Sequence, residues 1–102
     1  MQQLTSSQAK YLRGLAHGLK PVVLVGQKGI TAAVLESVHA ALDTHELIKV
    51  KFVDLKDRRL KAACAAEVEQ KTGSCLAGVI GHMAIFYRRQ PDPEKRKIAL
   101  PR

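Results

Sequence analysis

The chain has 102 residues, 46% of them hydrophobic and 25% charged, with a formal net charge of +8. That length allows one domain with a single core, and the composition is wrong for a disordered chain. The basic excess points to a polyanion, either nucleic acid or an acidic membrane surface, although no apolar run approaches the roughly 20 residues that span a bilayer.

The N-terminal stretch from Met1 to Ser7 lacks the charged start and apolar body of a signal peptide. Thr5 then reads as a helix cap, with Gln8 closing a capping box. Leu12, Leu15, Ala16 and Leu19 follow at helical spacing and define one buried stripe. Pro21 forces the chain out of helix. Val22 to Val25, apolar on both faces, suits a short strand inside a sheet. After Gly26-Gln27-Lys28-Gly29 comes a second helical pattern from about Thr31 to Thr44, burying Val34, Leu35, Val38, Ala41 and Leu42.

Glu46 to Val53 alternates, with Ile48, Val50 and Phe52 on one face and Lys49 and Lys51 on the other, which is a strand with one solvated face. A third helix runs from about Asp57 to Lys71, with Leu60, Cys64 and Val68 inward and Gly73 as its stop. Cys75 to Ile80 and Met83 to Arg89 form a hairpin around Gly81-His82. Gln90 to Arg102 reads as an extended basic tail, so the division is a domain over 1–90 and a tail over 91–102. The order α-β-α-β-α-β-β implies an α/β, two-layer domain on a four-stranded mixed sheet, with the helices on one face and the other face partly open.

The Gly26–Gly29 loop sits between a strand and a helix, where free backbone N–H groups and the helix dipole favour an anion. Phosphate contact and a plain turn are both open readings of it. Neither a Walker loop nor a dinucleotide fingerprint is present. Lys10, Arg13, His17 and Lys20, spaced 3, 4 and 3, fall on one helical face, and no acidic residue precedes Glu36 to neutralise them. Lys49 and Lys51 extend this basic surface. The tail carries Arg88, Arg89, Lys95, Arg96, Lys97 and Arg102 against only Asp92 and Glu94. Such an arm can track phosphates or remain solvated.

Catalysis is disfavoured. Cys64 reads as a small core residue, and Cys64 and Cys75 form no CxxC and no metal-ligand spacing, as expected of a cytoplasmic chain with reduced thiols. The four histidines are scattered without a metal motif, so no metal, cofactor or enzymatic activity is expected. The aromatic set is Tyr11, Phe52, Phe86 and Tyr87, too few for base stacking across a sheet to dominate.

Several longer segments then carry a resemblance. Tyr11-Leu12-Arg13-Gly14-Leu15-Ala16-His17, Leu19-Lys20-Pro21-Val22-Val23 and Gly26-Gln27-Lys28-Gly29 are similar to the bacterial YhbY-type CRM domain, the chloroplast RNA splicing and ribosome maturation module. So are His45-Glu46-Leu47-Ile48-Lys49-Val50-Lys51 and the closing Arg96-Lys97-Ile98 with Leu100-Pro101-Arg102. The resemblance covers essentially the whole chain. It implies an RNA-binding fold similar to the C-terminal domain of translation initiation factor 3. It also implies a GxxG loop at Gly26, Gln27, Lys28 and Gly29, and a basic RNA surface on Lys10, Arg13, His17, Lys20, Lys49 and Lys51.

The resulting expectation is a cytoplasmic, monomeric, non-enzymatic RNA-binding protein acting on a precursor of the large ribosomal subunit. Its alternatives are a general module for other structured RNA or duplex DNA, which competition by duplex DNA would reveal, and a small-anion enzyme using the glycine loop.

Overall fold

A computed structural model of the chain describes residues 3–101. Met1, Gln2 and Arg102, the last counted above in the charge of the tail, lie outside the described residues. The first helix, α1 (Ser6–Ala16), starts on a reciprocal cap. The Thr5 hydroxyl accepts the Gln8 N–H at 3.1 Å, and Gln8 Oε1 accepts the Thr5 N–H at 3.0 Å. The elements that follow are β1 (Val23–Val25), α2 (Ala32–His45), β2 (Leu47–Phe52), α3 (Arg58–Thr72), β3 (Cys75–Ile80) and β4 (Met83–Tyr87). Their order and the four-stranded mixed sheet agree with the sequence pattern. The strands run β1-β2-β4-β3, with β1 parallel to β2 and the other pairs antiparallel.

The helices are not confined to one face. Helices α2 and α3 cover Val23, Val25, Ile48, Val50, Phe52, Ala84 and Phe86. Helix α1 covers the opposite face, where Leu12 and Ala16 pack on Leu47, Ala77, Ile85 and Tyr87. The reason lies in β2 and β4: Leu47, Ile85 and Tyr87 make their second faces apolar too, and α1 shields them together with Leu4, Ile98 and Leu100. That cover stops short of β1, whose Leu24 is 61% exposed. β1, the edge strand beside β2, thus has one face open, and the expectation of a strand inside the sheet buried on both sides fails there.

The stripe on α1 is narrower than its spacing suggests. Only Leu12 and Ala16 are buried, whereas Leu15 and Leu19 are 42% and 41% exposed. The helix ends at Ala16, before Gly18 and Pro21, so Leu19 has left the helical face. In α3 the buried residues are Lys61, Ala65, Val68 and Thr72, and Leu60 is exposed. On this turned stripe the Lys61 ammonium donates to the Gly81 carbonyl at 3.1 Å, tying α3 to the hairpin turn while its stem lies under cover.

Strand β3 carries a bulge between Leu76 and Gly78. There Arg13 Nη1 donates to the Ala77 carbonyl at 2.8 Å. Its side chain lies so close over Gly78 that a Cβ at that position would sit 2.7 Å from Arg13 Cδ. A larger residue there would push the Arg13 side chain aside and disturb its hydrogen bond to Ala77.

The segment after β4 is extended apart from a 3₁₀ turn (Pro93–Lys95), and it is docked. Ile98 and Leu100 pack against the α1 core. Gln8 Nε2 donates to the Pro101 carbonyl at 2.8 Å. The anchor is Glu46, 1% exposed, which stands at φ +62 between α2 and β2. Its carboxylate accepts the backbone N–H groups of Gln90 at 2.9 Å, Ile98 at 3.2 Å and Lys97. A buried carboxylate is tolerable only with such partners.

Candidate nucleic-acid interface

The Gly26–Gly29 segment is an exposed turn closed by the Gly29 N–H donating to the Gly26 carbonyl at 3.0 Å. Gly29 has φ +71, a conformation that favours glycine. Gln27 and Lys28 occupy the tip, both exposed. The turn leads into α2, where the Thr31 hydroxyl accepts the Val34 N–H at 3.2 Å. One of the amides at this helix start is thereby engaged internally, and the Gly29 N–H is used by the turn.

The strand register connects this turn to the basic residues. Leu24 stands opposite Lys51, and the Val22 N–H donates to the Lys49 carbonyl at 3.0 Å. Residues alternate between faces along a strand. Val22, Leu24, Lys49 and Lys51 therefore share the face that α1 leaves open. At one end of this strip lies the glycine turn, directly after Val25. At the other end, Lys20 and Lys49 line a groove of about 540 Å³, together with Tyr11, Leu15, Leu19 and Lys97. No Asp or Glu lines the groove. Among the described residues the ion pairs are Lys71–Glu67 and Arg88–Asp43, neither of which lies there.

The four basic positions expected on one face of α1 are divided. Lys10 is exposed beside Tyr11 and Leu15, near the groove. Arg13 turns the other way, onto the β3 bulge, and is committed to holding it. His17 is the C-cap of α1, exposed but not among the groove's lining residues. Lys20 lies beyond the helix and reaches the groove through the α1–β1 connection.

Two cations of the C-terminal segment are likewise structural. Arg88 donates to the Thr72 carbonyl at 2.7 Å and to Asp43 Oδ1 at 2.8 Å, and Arg96 donates to the Gln90 carbonyl at 2.8 Å. Lys97 is exposed and joins the groove, a position that a description of the segment as a tail does not supply. The signal that could have located it is the acidic Glu46 in front of a strand otherwise built of apolar and basic residues.

The thiols of Cys64 and Cys75 are pushed up in pKa by burial, with Glu67 and Glu69 respectively adding to the effect. Both are thus held protonated and poorly nucleophilic at neutral pH. Among the described residues no three His, Cys, Asp or Glu side chains converge, and no helix is long and apolar enough to cross a membrane.

Such a fold and surface define a class: a small α/β domain presenting an acid-free basic strip beside a glycine turn. Residues 4–88 match the model of the CRS1 / YhbY (CRM) domain, and the chain belongs to that family. A Haemophilus influenzae protein named "RNA-binding protein" is 40% identical over 102 residues, covering 100% of this chain and 99% of its relative. A Pseudomonas aeruginosa relative, also named for RNA binding, is 41% identical over 92 residues, covering 90% and 88% of the two chains. The solution structure of a hypothetical Staphylococcus aureus protein, described as a candidate RNA binder, superposes with a TM-score of 0.83 at 32% identity. It covers 97% of this chain and 100% of that one.

Proposed function

We propose that this protein is a cytoplasmic, non-enzymatic RNA-binding protein that associates with the precursor of the large ribosomal subunit and assists its assembly. Membership of the CRM family and the names of the relatives support RNA as the polyanion. The observation that carries the reading is the open strip itself. Lys20, Lys49 and Lys51 stand along it with no ion pair among the described residues, and Lys28 projects from the turn at its end. Such an array neutralises successive phosphates and fixes the register of a nucleic-acid backbone without reading sequence. The docked Arg13, Arg88 and Arg96 contribute to the fold and not to this contact.

The test is sedimentation of a cell extract on a sucrose gradient at low magnesium, with the protein followed by antibody. It should migrate with immature large-subunit particles and leave them when Lys20, Lys49 and Lys51 are replaced by alanine. Sedimentation only at the top of the gradient, in extracts where precursors accumulate, would contradict the ribosomal role.

A further inference from the structure

The groove beside Lys20 and Lys49 has a feature that phosphate binding does not use. Tyr11, Leu15 and Leu19 are each about two-fifths exposed, and all three line this one opening. Single exposed apolar residues are ordinary, but an apolar patch ringed by charge marks a binding site. Here the ring is Lys20, Lys49 and Lys97, with no carboxylate among the described lining residues. An occupant that matches both features joins an apolar body to negative charge. At about 540 Å³ the opening lies within the roughly 300–1,000 Å³ typical of small-ligand sites.

We infer that this groove takes an unpaired base of a single-stranded RNA segment, seated against Tyr11 and the two leucines while its flanking phosphates lie at Lys20, Lys49 and Lys97. The inference rests on RNA being the ligand and adds what kind of RNA enters. A base in a duplex has its faces covered by its neighbours and cannot present one to a side chain. An extruded or single-stranded base can, and aromatic side chains accept any base in this way. One wall of the site is the C-terminal segment held by Glu46, so the groove exists only while that segment is docked.

The experiment compares three fluorescently labelled probes by anisotropy: a twelve-nucleotide mixed-sequence single strand, a blunt RNA duplex of equal length, and a strand of abasic ribose-phosphate units with the same number of phosphates. The wild-type protein should prefer the single strand over the abasic strand. Tyr11→Ala should weaken the single strand by about five- to hundredfold and leave the abasic strand within twofold. Tyr11→Phe should restore binding.

Tyrosine emission in the unaltered chain, which has no tryptophan, adds a readout independent of any variant: Tyr11 is exposed and Tyr87 buried, so quenching on addition of the single strand reports on Tyr11. Absence of quenching, or equal weakening of all three probes by Tyr11→Ala, overturns the base site and leaves a phosphate-only contact. Quenching that rises with protein concentration in the absence of RNA would show that a second copy fills the groove. Failure of the wild type to bind any of the three probes would instead overturn the RNA-binding reading itself.

Discussion

Replacing Glu46 with alanine should release the C-terminal segment and destabilise the domain by about 2–4 kcal/mol. The carboxylate accepts three backbone N–H groups from Gln90, Lys97 and Ile98, and a hydrogen bond to a charged group contributes about 1.5–3 kcal/mol. The full sum is not expected, because the segment can leave its seat. Its amides then find water, and each freed residue regains about 1–2 kcal/mol of backbone entropy. Lost with it is the partial burial of Ile98 and Leu100, each worth less than the roughly 1.5–3 kcal/mol of a fully buried side chain.

For a domain of this size the expected change corresponds to about 10–30 °C in thermal midpoint. Glu46→Gln keeps one acceptor oxygen and should fall in between. Glu46→Gly loses the carboxylate but relieves the backbone at φ +62, so it should be more stable than Glu46→Ala by about 1 kcal/mol. Thermal melts, together with amide hydrogen exchange at Lys97 and Ile98, measure both effects, with the exposed Glu36→Ala as control. A Glu46→Ala midpoint equal to that control, with Lys97 and Ile98 still protected, would refute the anchoring argument.

Leu12→Ala should destabilise by roughly 2–5 kcal/mol, whereas Leu15→Ala, half in solvent, should cost less than about 1 kcal/mol; urea unfolding of the two variants checks the assignment of the α1 faces. Arg13→Ala should lower stability by about 1–3 kcal/mol through the orphaned Ala77 carbonyl and change RNA affinity little, as melts and titrations of one preparation would show.

Stability should decline as pH rises above about 9. Burial raises the Tyr87 hydroxyl, helped by Glu46, and raises both thiols. The unfolded chain then loses these protons first, so the stabilisation is complete below the unfolded values, about 8.5 for Cys and 10 for Tyr, and is lost above them. Melts from pH 8 to 11 should show the decline, and Tyr87→Phe should flatten its upper part.

Most of the backbone was legible in the sequence. Thr5 and Gln8 marked one helix start, Asp57 another, and Gly73 an end, because caps are local chemistry. Strand β2 announced its two faces through Ile48, Val50 and Phe52 against Lys49 and Lys51. What periodicity could not supply was which face each helix covers. Leu15 and Leu19 have the spacing of core residues, yet they flank an open groove, since helical spacing does not register where a helix ends or how far a sheet extends beneath it.

The basic residues divided for a related reason. Arg13 and Lys49 look alike as charges in a chain, but a carbonyl exposed by the bulge in β3 claims the first, and nothing among the described residues claims the side chain of the second. The docking of the C-terminal segment depends on contacts some fifty residues apart, between Glu46 and Lys97, which no local pattern encodes.

The central claim, that the basic strip holds RNA chiefly by its phosphates, is tested most directly by the salt dependence of binding. Titrations of several unrelated single-stranded RNAs at five salt concentrations give the slope of log K against log salt, about −0.7 for each neutralised phosphate. On the proposed reading Lys10, Lys20, Lys28, Lys49, Lys51 and Lys97 would together engage roughly four to six phosphates, so the slope should be about −3 to −4 for every sequence. Lys28→Ala should make it shallower by somewhat under one unit and weaken all the RNAs nearly equally. A slope near zero, or strong preference for one sequence that Lys28→Ala leaves unchanged, would contradict the account.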